Sequence, residues 1–126
     1  MKIFLVRHAT PDWSRTDIPY DIAPGPMLAP KGEKEAEKLA VFLRSERVGR
    51  LYHSPFERAA RTAQIVAGMN EIPCIEEARL AEWRSQAESE VKVRARMKAT
   101  FDDSFAEAAA TGSIGCRYWR SYPSSH

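Results

Sequence analysis

Cysteine is scarce in this chain, and what there is cannot build a framework. Cys74 and Cys116 are the only two. Their separation matches no metal-ligand spacing and no dense disulfide scaffold, so a reduced, cytoplasmic setting is the expectation. Long apolar runs are also missing. No stretch approaches the roughly 20 apolar residues of a membrane-spanning helix. Lys2 is followed by only four apolar residues, Ile3 to Val6, too few for a signal-peptide core. Charge of one sign is lacking too. Nineteen Lys and Arg against 17 Asp and Glu leave a formal net charge of +2. So small an excess argues against nucleic acid or a membrane surface as the main partner.

What remains is the composition of a globular domain. The 126 residues are 44% hydrophobic and 29% charged. A chain of this length forms one domain and buries roughly two-thirds of its unfolded surface. The hydrophobic pattern places a first strand at Lys2–Val6. Pro11 to Pro30 holds five prolines and one glycine and reads as a long loop able to wrap over a site. Pro30–Arg47 reads as a helix, with Ala36, Leu39, Ala40 and Leu43 on one face. A second strand follows at Arg50–His53 and a second helix at Pro55–Met69. Ile72–Ile75 reads as a third strand, and Pro73 inside it points to a sheet edge. Glu76–Gln86 is a loop. A long helix is expected over Ala87–Ala110, its core stripe Val93, Met97, Phe101 and Phe105. The basic residues beside that stripe read as a solvated face. The domain is therefore expected to occupy 1–110. Residues 111–126 show neither a helical nor a strand period and read as an irregular tail.

Two segments carry chemistry. The first strand runs straight into Arg7-His8. In an open α/β fold that puts a cation and an imidazole at the carboxyl edge of the sheet, where ligands bind. The second segment is Ser54-Pro55-Phe56-Glu57-Arg58-Ala59-Ala60-Arg61-Thr62-Ala63. Ser54 is a good N-cap, Pro55 a good first helical residue, and Glu57 completes a capping box. Arg58 then sits in the first helical turn, beside backbone N–H groups that attract anions.

Together these segments resemble the histidine phosphatase superfamily, the phosphoglycerate mutase-like phosphatases. Leu5-Val6-Arg7-His8-Ala9 is similar to the family's opening Leu-Val-Arg-His-Gly. Ser54 to Ala63 matches its Ser-Pro-x-x-Arg-Ala-x-x-Thr-Ala. Leu28-Ala29-Pro30-Lys31-Gly32 resembles its Leu-Thr-x-x-Gly. Leu80-Ala81-Glu82 fits the acid that follows its third strand. The resemblance implies a three-layer α/β/α fold with a mostly parallel sheet. It implies a phosphatase that hydrolyses a phosphomonoester or a phosphohistidine through a phosphohistidine on His8. Glu82 would be the general acid, and Arg7, Arg58 and Ser14 would bind phosphate. No metal or other cofactor is implied. The partner would be a small phosphorylated substrate or a phosphoprotein.

The chain also departs from the pattern. Ala9 replaces the usual Gly, Ser14 an Asn, and Ala29 a Thr that would cap the first helix. The family carries a second His on a later strand, and here that strand and its His are expected to be lacking. His53 comes too early, and His126 has no strand pattern before it. Arg117 to Pro123 permits codons whose neighbouring frame spells Leu-Leu-Ala-Val-Val-Ser, the apolar run implied at this place, so the tail reads as truncated or altered. A sheet short of one strand would expose backbone groups and favour a homodimer. A non-catalytic phosphate-binding or interaction domain is the alternative reading.

Overall fold

The computed structural model describes residues 3–81, 88–111 and 115–118. Strand β1 (Ile3–Val6) leads through a long loop to helix α1 (Pro30–Ser45). Strand β2 (Arg50–His53), helix α2 (Glu57–Asn70) and strand β3 (Cys74–Glu76) follow. A single 3-10 turn (Ala78–Leu80), helix α3 (Glu90–Thr111) and strand β4 (Gly115–Tyr118) complete the order. The four strands form one parallel sheet in the order β1-β4-β2-β3.

Alternation along β2 separates the two faces of the sheet. Leu51 is fully buried on the face covered by α1 and α2, beside Val48, Leu43, Ala40, Ala63 and Val66. Tyr52 points to the other face and packs with Leu80, Val93 and Met97. The layers are therefore α1 and α2, the sheet, and α3, as the resemblance implies.

Several boundaries differ from expectation for identifiable reasons. Helix α2 begins at Glu57, with Phe56 at the N-cap and no side-chain cap. Ser54 does not form the expected capping box. Its hydroxyl accepts from Phe56 N at 3.3 Å. Glu57 N donates instead to the Pro24 carbonyl, 2.8 Å away on the long loop. Strand β3 starts at Cys74 because Pro73 has no N–H to give a ladder, though its carbonyl accepts from Leu51 N at 2.9 Å. The edge position expected for this strand is found, since β3 pairs with β2 alone among the described strands. Ala29 leaves the start of α1 without a side-chain cap, as its sequence suggests.

The buried face of α3 is Val93, Met97, Thr100 and Ser104. The expected stripe kept a strict spacing of four, and such a stripe drifts around a helix of 3.6 residues per turn. A step of three brings Thr100 into the core as well, while Phe101, half-buried, packs on Leu80, Val93 and Met97 as expected; the side chain of Phe105 lies outside the described ones. The hydroxyls of Thr100 and Ser104 bond the carbonyls of Arg96 and Thr100, at 2.8 and 2.7 Å. Three basic residues beside the stripe have acidic partners: Arg94 with Glu90, Lys98 with Asp102, and Arg96 with Glu88.

The largest difference lies in the tail. Residues 115–118 are not irregular. They form β4, hydrogen-bonded between β1 and β2. The sheet is thus continuous where a strand was expected to be lacking, and the reason given for a homodimer loses its footing. The sequence of β4 is Gly-Cys-Arg-Tyr, with no histidine. Residues 119–126 lie outside the described ones.

Two glycines test how closely the helices are seated. A Cβ on Gly32 would stand 2.2 Å from the Thr10 carbonyl oxygen, whereas one on Gly68 meets nothing within 4 Å. Gly32→Ala should therefore destabilise the fold by about 1–3 kcal/mol through overpacking. Gly68→Ala should stabilise it by roughly 0.5–1 kcal/mol through lost unfolded-state entropy. Urea unfolding of both variants checks the opposite signs.

Candidate active site

His8 follows β1 by two residues and is buried, 8% exposed. Its Nδ1 lies 2.8 Å from the carbonyl oxygen of Ala9. A carbonyl only accepts, so Nδ1 carries the proton. The lone pair of the neutral ring is then on Nε2. Nε2 lies 3.2 Å from the hydroxyl of Tyr20. Given that tautomer, the phenol donates to the imidazole.

The turn that carries His8 is held from two helices. Ala9 N donates to Thr62 Oγ1 of α2 at 3.1 Å, and that hydroxyl donates to the Arg58 carbonyl at 2.7 Å. Thr10 N donates to Glu35 Oε1 of α1 at 2.9 Å. This backbone bond holds the Glu35 carboxyl below its ordinary range. Gly32 sits flush against the same Thr10 carbonyl. Backbone and side-chain bonds from α1 and α2 therefore fix the direction of the imidazole.

Beside His8 is a cavity of about 480 Å³. Arg7, His8, Thr10, Trp13, Glu35 and Thr62 are among its lining residues. Arg7 is exposed and shares this cavity with His8. Arg58 is 1% exposed, in the first turn of α2. Its guanidinium carbon lies 3.6 Å from the centroid of the Tyr20 ring and 4.5 Å from that of Phe56. Its Nη1 donates to the Tyr20 carbonyl at 2.8 Å. Arg61, one turn on, is instead partly exposed and forks onto Glu33 at 3.0 and 3.2 Å.

The expected site residues thus divide. Arg7 and His8 share a cavity, and Arg58 joins His8 through Tyr20, which touches both. Ser14 is not brought to His8, for its hydroxyl donates to Asp12 at 2.6 Å on the exposed part of the loop. Glu82 lies outside the described residues. His53 is buried at the end of β2, level with Val6 across β4, and its Nδ1 lies 2.8 Å from the Ser54 carbonyl. Cys74 is unsuited to nucleophilic work, because burial pushes its thiol up.

Thr62 and Tyr20 were not picked out from the sequence as site residues. Thr62 was visible only as one letter of a motif. Tyr20 was visible only as part of a proline-rich loop expected to cover a site. Thr62→Val should leave the buried Ala9 N–H without its acceptor and lower stability by about 1–3 kcal/mol. Thr62→Ser should recover most of that loss. Thermal and urea unfolding of the two variants measure the difference.

Comparisons with known proteins identify the family and the fold. Residues 3–113 match the histidine phosphatase superfamily (branch 1). Phosphoserine phosphatase 1 of Hydrogenobacter thermophilus is 34% identical over 82 residues, 65% of this chain and 38% of that protein. The 2,3-bisphosphoglycerate-dependent phosphoglycerate mutase of Thermoplasma acidophilum is 40% identical over 68 residues, 53% of this chain and 34% of that protein. The matched segments thus span well under half the length of these curated relatives. Among solved structures, phosphoglycerate mutase from Bacillus anthracis superposes with a TM-score of 0.81 at 17% identity. That match covers 94% of this chain and 74% of the other. A mycobacterial glucosyl-3-phosphoglycerate phosphatase superposes at 0.72 with 19% identity, covering 92% and 72%. With its phosphoglycerate mutase-like fold and a family match over most of its length, this chain belongs to the histidine phosphatase superfamily.

Proposed function

We propose that this protein is a phosphatase that transfers a phosphoryl group from a phosphomonoester to Nε2 of His8 and then to water. The observation that carries the reading is the hydrogen bond from His8 Nδ1 to the Ala9 carbonyl. It leaves the lone pair on Nε2 of a ring that lines the cavity. A neutral imidazole held in that way is a competent nucleophile. In the first step the Nε2–P bond forms as the bond from phosphorus to the ester oxygen breaks. In the second, a water oxygen bonds to phosphorus as the Nε2–P bond breaks, so that the neutral imidazole returns and the phosphoryl group leaves as inorganic phosphate.

Arg7 and Arg58 would neutralise the phosphoryl oxygens as permanently charged, planar donors. Glu82 is proposed as the acid that protonates the leaving oxygen, by its place in the motif. Ser14 keeps a possible phosphate contact only if its hydroxyl leaves Asp12. The relatives named above act, by name, on phosphoserine, phosphoglycerate and glucosyl-3-phosphoglycerate. A cavity of about 480 Å³ suits a leaving group of that size. A small phosphorylated metabolite is therefore the proposed substrate class, ahead of a phosphoprotein.

A second reading has one specific observation behind it. Strand β4 stands in the middle of the sheet, yet its four residues hold no histidine. A chain that lost this donor would bind phosphate and turn over slowly. Loss of one preorganised donor costs about 10²–10³ in rate.

One experiment separates the two. The chain is mixed with a ³²P-labelled aryl phosphate and quenched within milliseconds. A phosphatase gives a base-stable, acid-labile adduct that disappears in His8→Ala, while Glu82→Gln slows its formation. Phosphate binding with no adduct at any time favours the binding domain. An adduct that persists in His8→Ala contradicts the assignment.

A further inference from the structure

We infer that the loop over residues 12–27 is a built-in competitor of phosphate. Its own oxygens stand where phosphoryl oxygens must go, and substrate enters by displacing Tyr20. The inference rests on the reading of His8 as the nucleophile and adds an occupant to that site.

Three contacts carry it. The Tyr20 hydroxyl lies 3.2 Å from His8 Nε2. A phosphorus atom poised for attack must sit about 3–3.5 Å from the same nitrogen, so the phenol oxygen and the phosphoryl group exclude each other. The Tyr20 carbonyl accepts from Arg58 Nη1 at 2.8 Å. The Pro24 carbonyl accepts from Glu57 N, at the start of α2, at 2.8 Å. A buried arginine and the first N–H of a helix are the donors a phosphate would use. Here both bond the loop instead.

The loop is shaped for this. Its base is closed by Asp12 N to the Met27 carbonyl at 2.7 Å, Ala29 N to the Thr10 carbonyl at 3.0 Å, and the bridge between Pro11 and Leu28. Its tip is closed by aromatic stacking. The Tyr20 ring has the Arg58 guanidinium 3.6 Å from its centroid. Trp13, itself exposed, stacks on Tyr20 with centroids 5.1 Å apart and planes at 20°. Gly25, at φ +68, brings the backbone so close that a Cβ there would stand 2.9 Å from Arg58 Nη1. With the base fixed, opening is confined to the segment between Trp13 and Gly25.

The competition is unequal by chemistry. The loop offers neutral oxygens, a phenol and two carbonyls. The guanidinium of Arg58 already donates to a neutral carbonyl, and a phosphoryl dianion in its place adds the attraction of opposite charges and a two-pronged fit to the same donor. A phosphate therefore opens the loop, and neutral molecules do not.

The test reads binding of inorganic phosphate to the full chain. Tyr20→Phe keeps the ring beside Arg58 and removes only the hydroxyl. Calorimetry should show phosphate binding about threefold to tenfold tighter, the worth of one neutral hydrogen bond no longer lost on entry. Unchanged or weaker binding overturns the inference. A second measurement uses the unsubstituted protein. Phosphate should change the tryptophan emission as the Trp13–Tyr20 stack parts, and Trp13→Phe should abolish that change. Saturating phosphate with no Trp13-dependent change overturns the inference, as does the absence of phosphate binding by both the unsubstituted chain and Tyr20→Phe. Neither readout requires turnover. A chain that forms no phosphohistidine still answers the question, and an active chain with unaltered Tyr20→Phe binding loses only the competing loop.

Discussion

The hydrogen bond between His8 Nδ1 and the carbonyl of Ala9 decides what this site does. Without it nothing among the described contacts holds the proton on Nδ1 or fixes the direction of the ring. With it, the proton is on Nδ1 and the lone pair on Nε2. The rest of the local structure keeps that carbonyl in place. Thr62 takes the N–H of Ala9, Glu35 takes the N–H of Thr10, and Gly32 lets α1 press against the Thr10 carbonyl. These bonds come from two helices that pack on one another and lock at their far ends. There Asn70 donates to the carbonyls of Ala40 and Val66, and Arg44 donates to the Met69 carbonyl. The proposed nucleophile is thus aimed by the packing of α1 on α2, not by a single neighbour.

The same architecture places the groups proposed to bind the anion. A parallel sheet brings the ends of β1 and β2 to one edge, with β4 between them. Arg7 and His8 leave that edge from β1. Arg58 rises from the first turn of α2, which follows β2. Tyr20 spans the gap by bonding His8 and Arg58 together. His8 and the buried Arg58 are therefore coupled through a residue of the covering loop.

Much of this was legible in the residues. The apolar run into Arg7-His8 fixes a strand end, and the apolar faces of α1 and α2 follow a helical period. The order of motifs points to the family. The capping box expected at Ser54 does not form, because a Ser-Pro-x-Glu pattern is a local signal, whereas Glu57 N finds its acceptor at Pro24, far away in sequence. Strand β4 is hidden for a similar reason. Gly-Cys-Arg-Tyr has little strand pattern, and its ladder comes from β1 and β2 on either side. The loop was recognisable as a cover from its prolines, but nothing local singles out Tyr20 from Trp13 or Ser14. Long-range partners decide each of these cases, and a linear pattern does not record them.

The most direct test of the account is the position of one proton. In a ¹⁵N-labelled sample above the titration of the ring, long-range ¹H–¹⁵N correlation distinguishes the two neutral tautomers of each histidine, and His8→Asn assigns the His8 signals. The account predicts that His8 carries its proton on Nδ1, with Nε2 bare, in contrast to the tautomer preferred by free imidazole side chains. A proton on Nε2 would mean that the lone pair faces the Ala9 carbonyl, and it would contradict both the hydrogen bond and the nucleophile derived from it.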